Sequence, residues 1–169
     1  MFQRPDKSEY NPYFDRYISA VGEKGAIPAL RSSDFLNLMV GLSDQEWNYR
    51  YAEGKWSIKE VLVHIMDTER IFAYRLLRIS RNDATPLAGF EQDGYIENAE
   101  IESRTIASLL AEYKAVRDAT LSLIDSLDVK ALSRKGTASG SNVSARALVF
   151  MIAGHEIHHH KIVEEKYLS

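Results

Sequence analysis

The run from Ser57 to about Arg81, "SIKEVLVHIMDTERIFAYRLLRISR", most constrains what this chain can become. Ser57 followed three residues later by Glu60 is a capping box, in which hydroxyl and carboxylate satisfy amide groups that the first helical turn leaves unpaired. The turns that follow, "IKEVLVHIMD", are apolar on more than one face, so this helix has to be covered from several sides. The cover must be either a sheet or further helices.

No stretch alternates as a half-buried strand does, whereas three other segments repeat at helical spacing. "AIPALRSSDFLNLMVGL" places Ile27, Leu30, Phe35, Leu38 and Leu42 in a loose helical pattern, after a shorter helix around "PYFDRYISAV". "SRTIASLLAEYKAVRDATLSLIDSL" carries Ile106, Leu109, Leu110, Tyr113, Val116, Leu121 and Ile124 on one broad stripe. The fourth helix is expected from about Ser144 to Tyr167. Residues 82–102, with Pro86, Gly89 and Gly94, form a long connection of the kind that is usually functional when ordered. "DVKALSRKGTASGSNV" reads as a polar loop. The expected fold is all-α, a four-helix bundle, with residues 1–169 forming one domain.

Composition narrows the class. No segment approaches the roughly 18–20 apolar residues of a membrane span. The polar start, "MFQRPDKSEYNPYFDRY", is unlike a signal peptide, so a cytoplasmic location is expected. Net charge is −3 with basic residues spread along the chain, which leaves no footprint for nucleic acid. There is no cysteine, which removes disulfides and thiolate ligands from consideration.

Four of the five histidines, His155, His158, His159 and His160, fall in "GHEIHHHK". Leu148, Ile152, His155, His159, Ile162 and Lys166 step by four and three, the spacing of a core seam. His155 and His159 are therefore on one face, one turn apart, close enough to share an ion. His160 points to the opposite, solvated side, and His158 lies beside the seam. On this helix alone, a metal and a hydrogen-bonded polar pair are equally open. His155-Glu156-Ile157-His158-His159 also spells H-E-x-x-H, the zinc-protease helix. Such enzymes find a third ligand well downstream and use folds with a sheet, and this chain offers neither. The third ligand must come from upstream, where His64 sits between Val63 and Ile65. Three neutral imidazoles would hold a divalent ion and leave positions for water, with Asp67, Glu69 and Glu156 as acceptors that orient the rings.

"GKWSIKEVLVHIMDTERIFAYRLLRISRNDATPLAGFEQDGY" with "AGHEIHHHKIVEEKYL" resembles the DinB-like superfamily and, within it, the YfiT-like group of metal-dependent hydrolases. The resemblance runs from about Tyr10 to Leu168. It rests on Gly54-Lys55-Trp56-Ser57, on His64, and on Gly154-His155 with His159. It implies a four-helix bundle and a three-histidine site for zinc, nickel or a similar ion, falling on His64, His155 and His159. Bundles of this family pair through helix faces, so a homodimer is the implied assembly.

Three functions compete. The first is a metal-dependent hydrolase acting on a small molecule, in which Glu156 would be general base; it lies about 80° from the histidine pair at ~100° per residue. The second, implied by the resemblance, is transfer of a low-molecular-weight thiol such as bacillithiol, an acidic cofactor. Arg75 and Arg146 could bind it, with Arg70, Arg78 and Arg81 as further cations, unless these are a solvated helix face. The third is a non-catalytic metal- or ligand-binding module. Phe90 and Tyr95 on the long connection could wall a pocket, which argues against a closed coordination sphere.

Overall fold

The capping box at Ser57 starts the central helix. Glu60 N–H donates to Ser57 Oγ (3.3 Å) and Ser57 N–H to Glu60 Oε2 (2.6 Å). A computed structural model of the chain describes residues 3–168. Four short helices come first: α1 (Asp15–Ala20), α2 (Ala26–Arg31), α3 (Asp34–Val40) and α4 (Asp44–Asn48). The central helix is α5 (Ile58–Ser80), and it stops where Asn82 turns left-handed (φ 63°) and Asp83 N–H returns to the Arg78 carbonyl. α6 (Gln92–Glu97), α7 (Ile106–Asp125), α8 (Val129–Leu132) and α9 (Ala145–Ile162) follow. Thr105 and Ser144 cap α7 and α9 through their hydroxyls.

Three long helices, α5, α7 and α9, and a fourth built from pieces make the four-helix bundle. The expected helix over 26–42 is two helices, because Ser32 is extended and its hydroxyl accepts the Asp34 N–H (3.1 Å). Serine side chains offer the backbone this alternative to a continuous ladder. The seam of α9 also changes register at its end. One π-helical turn over Val163–Tyr167 buries Val163 and Tyr167 and leaves Lys166 in solvent.

The absence of strands has to be corrected. β1 (Lys135–Ala138) and β2 (Ser141–Ser144) form an antiparallel hairpin with Ala138 opposite Ser141. Its turn residues, Ser139 (φ 50°) and Gly140 (φ 72°), are both left-handed, the turn that matches strand twist. Four-residue strands in which only Ala138, Val143 and Ser144 are buried show no alternation to read. The hairpin carries the long connection: Leu87 N–H donates to the Thr137 carbonyl and Ser139 N–H to the Leu87 carbonyl.

The interior falls into two apolar halves. One gathers Ile18, Leu30, Phe72, Leu76, Ile124, Leu148 and Ile152. The other gathers Phe35, Met39, Trp47, Leu62, Met66, Leu109 and Val163. Between them, at one level on three helices, lie buried polar residues: Thr68 and Glu69 on α5, Arg117 and Thr120 on α7, His155 and Glu156 on α9. Each such group costs about 1–3 kcal/mol if left unsatisfied, as much as a buried leucine contributes, so this belt must be paired or used. Among the described residues, no helix is long and apolar enough to cross a membrane.

The N-terminal segment is tied to α9 by an ion pair. Glu9, 3% exposed, accepts from Arg146 Nε (2.7 Å) and Nη2 and from Asp6 N–H (2.9 Å). Burial alone would push the Glu9 carboxyl up. The Arg146 guanidinium, the Asp6 amide and Ser144 outweigh burial and hold it at about 2, against an ordinary 4.5. The depressed value means that this carboxylate stabilises the fold fully above about pH 4.5 and loses its contribution as pH falls towards 2. Glu9→Gln should therefore lower the melting temperature at pH 7 and flatten the loss of stability between those limits. Melts of both proteins across that range test it; parallel acid curves would count against the assignment.

Candidate metal centre

His64 lies two turns into α5, and its ring packs beside Trp56 (centroids 4.8 Å apart). His155 and His159 come from successive turns of α9. Tyr17 of α1 meets the His155 ring edge-on at 5.2 Å, and Phe72 meets it at 6.3 Å. His64 and His155 are each 4% exposed, and His159 is half-buried.

The three rings point at one another. His155 Nε2 is 3.0 Å from His64 Nε2 and 3.2 Å from His159 Nε2, and the ligand atoms of all three lie within 4.8 Å. Burial pushes the His64 imidazole down to about 4, with the Asp93 carboxylate working weakly against it. Burial, then the neighbouring His64, takes His159 down to about 3. His155 falls well below its ordinary value for the same reasons. At neutral pH all three are uncharged and can present lone pairs. One Nε2 has one proton or one lone pair and serves one partner well, so mutual hydrogen bonding leaves this trio unsatisfied. A cation serves all three. In a tetrahedral set with bonds of 2.0–2.1 Å the nitrogens sit about 3.3 Å apart, close to the 3.0 and 3.2 Å that separate His155 from its two neighbours. The donor set fits a divalent ion.

Of the other two histidines, the sequence leaves His158 open and His160 departs from expectation. His158 packs edge-on to Tyr17 (5.3 Å). His160 is half-buried, resting on Phe35 (5.6 Å) with Nε2 3.6 Å from Glu164, so it is not on a freely solvated side.

Glu156 faces away from the trio. Its Oε2 accepts from Tyr113 Oη and from Arg117 Nη2, both at 2.5 Å. Arg117 also donates to Glu69 through Nε (3.0 Å) and Nη2 (2.8 Å), and to the Leu30 carbonyl (3.1 Å). The H-E-x-x-H glutamate is thus bound into the polar belt. The carboxylates expected to orient the rings are taken by arginines: Asp67 by Arg70, and Glu69 and Glu156 by Arg117.

A cleft of about 680 Å³ opens beside His155, walled by Tyr17, Thr68, Phe72, Arg75 and Phe90. Arg75 is on this wall, buried, and not on a solvated helix face. Arg146 is held by Glu9 and does not line the cleft. Tyr95 touches Phe90 (5.5 Å) but lines a neighbouring groove. Sequence reasoning missed Thr68, Tyr17 and Asp93, which share the cleft with His155. Thr68 was readable in principle, since it lies one turn from His64 on the same helix face.

A solved structure shares this architecture. YfiT from Bacillus subtilis, described as a probable metal-dependent hydrolase with an unusual four-helix bundle topology, superposes with a TM-score of 0.70. The alignment covers 95% of this chain and 88% of that one at 15% sequence identity, so it speaks for the fold. YjoA of Bacillus subtilis (strain 168), described as an uncharacterized protein, is 28% identical over 121 residues, 70% of each chain. The family model of the DinB superfamily matches residues 30–163, and the chain belongs to that superfamily.

Proposed function

We propose that the chain is a divalent-metal-dependent hydrolase of a small molecule, with His64, His155 and His159 holding a zinc or nickel ion beside the cleft. The observation that carries this reading is the convergence of three neutral Nε2 atoms next to a space that can admit a substrate. The description given to YfiT, a neighbour in fold, agrees with it. When bound, such an ion supplies Lewis acidity, polarising a substrate carbonyl and lowering the pKa of water towards about 7.

The chain's own residues do the rest. Trp56 over His64, and Tyr17 with Phe72 around His155, fix the rings and keep them dry and uncharged. The oxygens of Glu156 are occupied by Tyr113 and Arg117, so the base is sought elsewhere. Asp93 on α6 lines the cleft, is exposed, and is close enough to act on His64 electrostatically. In this reading Asp93 would take a proton from the attacking water.

Elemental analysis after purification without a nickel column or chelator tests the reading. The expected result is about one divalent ion per chain, lost in both His64→Ala and His155→Ala while the helical circular dichroism persists. A wild type that holds no ion and takes up neither zinc nor nickel when offered them would remove the hydrolase proposal.

A further inference from the structure

Arg75 is the unexplained charge in the cleft. It is 3% exposed, and its Nη2 donates to the Ala88 carbonyl (2.8 Å) and to Ser139 Oγ (2.9 Å). Neither acceptor carries a charge. Its neighbours on α5 are neutralised, Arg70 by Asp67 and Glu112, and Arg78 by Asp83. Among the described residues no carboxylate pairs with Arg75. Phe72 and Phe90 flank the guanidinium at 5.9 and 5.8 Å, and their ring faces favour the cation without supplying a counter-charge. An arginine does not deprotonate in a protein, so Arg75 stays a cation with no carboxylate in contact. Burial opposes that charge, and among the described residues only neutral acceptors and ring faces answer it.

Thr68 supplies a second, independent observation. It is 3% exposed, lines the same cleft, and its Oγ1 has no hydrogen-bond partner among the described residues. A helical threonine ordinarily returns its hydroxyl to the carbonyl one turn back. Thr68, with its hydroxyl unpartnered just beneath the wall, and Arg75, two turns on along α5, line one space. The hairpin completes the seat: Ser139, held left-handed at the turn, brings its hydroxyl to Arg75.

The geometry points to an anion seat at Arg75 and Thr68 that takes the carboxylate tail of the substrate. One planar guanidinium with one hydroxyl suits a single carboxylate better than a phosphate dianion, which usually collects several cations. Exposed Glu91 and Asp93 on the same cleft disfavour a polyanion. Position sets the substrate's shape. Arg75 follows His64 by eleven residues, three turns on nearly the same helix face, or about 16 Å between Cα atoms. Side chains on a helix lean towards its N-terminus, which brings the guanidinium back towards the histidines. The carboxylate therefore lies several bonds from the reacting carbonyl, as in an ω-carboxylated amide or ester. That substrate class rests on the hydrolase reading, whereas the seat itself does not need the ion.

The test uses a homologous series of N-benzoyl ω-amino acids, from glycine to 8-aminooctanoate, each with its primary carboxamide. Dissociation constants are measured by NMR titration on wild type, Arg75→Met and Thr68→Val, and again on His155→Ala. Wild type should prefer carboxylate over carboxamide by about 10-fold or more, the worth of a charged hydrogen-bonded contact, with an optimum at a longer spacer. Arg75→Met should erase the preference and Thr68→Val, a same-shape change that spares the fold, should reduce it. Persistence of the preference in His155→Ala separates the seat from the metal, so loss of the hydrolase reading would leave it standing. Equal affinity for acids and amides in wild type, no binding of any acid, or a preference that survives in a folded Arg75→Met protein overturns the proposal.

Discussion

Arg117→Ala is expected to destabilise the protein by about 3–5 kcal/mol, the usual consequence of leaving a buried charge without its partner. Arg117 is the hub of the polar belt. It forks onto Glu69 from α5, reaches Glu156 from α9, and donates to the Leu30 carbonyl at the end of α2. Removing it leaves two buried carboxylates side by side with only Tyr113 donating to one of them. For a chain of this size the melting temperature should fall by roughly 10 °C. The size of the effect reports the stranded carboxylates and not the attraction alone. Replacing Glu69, Arg117 and Glu156 together by leucine, methionine and leucine should therefore recover most of the loss. A single mutant melting within about 2 °C of wild type would mean that water reaches these carboxylates freely.

What could be read from the sequence was what is local. The capping box at Ser57, the length of α5 and the pairing of His155 with His159 all follow from spacings of three and four residues. His64 was readable by elimination, since a ring among "VLVHIM" needs a partner and only one histidine was left. The belt was not readable, because Arg117 lies 48 residues from Glu69 and 39 from Glu156. Glu156 consequently looked free for proton transfer. Arg75 looked like one cation among several on a wet helix face. Its burial depends on residues 82–102 being zipped to the hairpin, and four-residue strands carry too short a pattern to announce themselves. The dipeptide Ser139-Gly140 was a turn signal present in the letters and absorbed into a loop. The broken helix over 26–42 depends on which of two local preferences wins at Ser32, apolar spacing or the serine hydroxyl, and spacing alone does not decide that.

Gly154→Ala is the sharper test of how the fold aims the site. On propensity alone the change should help, because alanine is favoured over glycine inside a helix by about 1 kcal/mol. Here the sign reverses. A Cβ on Gly154 would overlap the backbone carbonyl of Tyr17, so α1 lies directly against α9 at this residue. No side-chain rotation can relieve an overlap with backbone, and overpacking of this kind costs about 3 kcal/mol at the upper end of its range, which leaves a net loss of about 2 kcal/mol. The melting temperature should drop by about 4–8 °C. The damage should also extend beyond stability. Tyr17 supports both His155 and His158 by edge contacts, so pushing α1 outward frees the ring next in sequence to the mutation. Affinity for added zinc should fall about 10-fold or more, in the range seen when groups that support metal ligands are removed, even though no ligand has changed. A variant that melts above wild type and binds zinc as tightly would show that α1 moves freely, and that the approach of the two helices at Gly154 does not position His155.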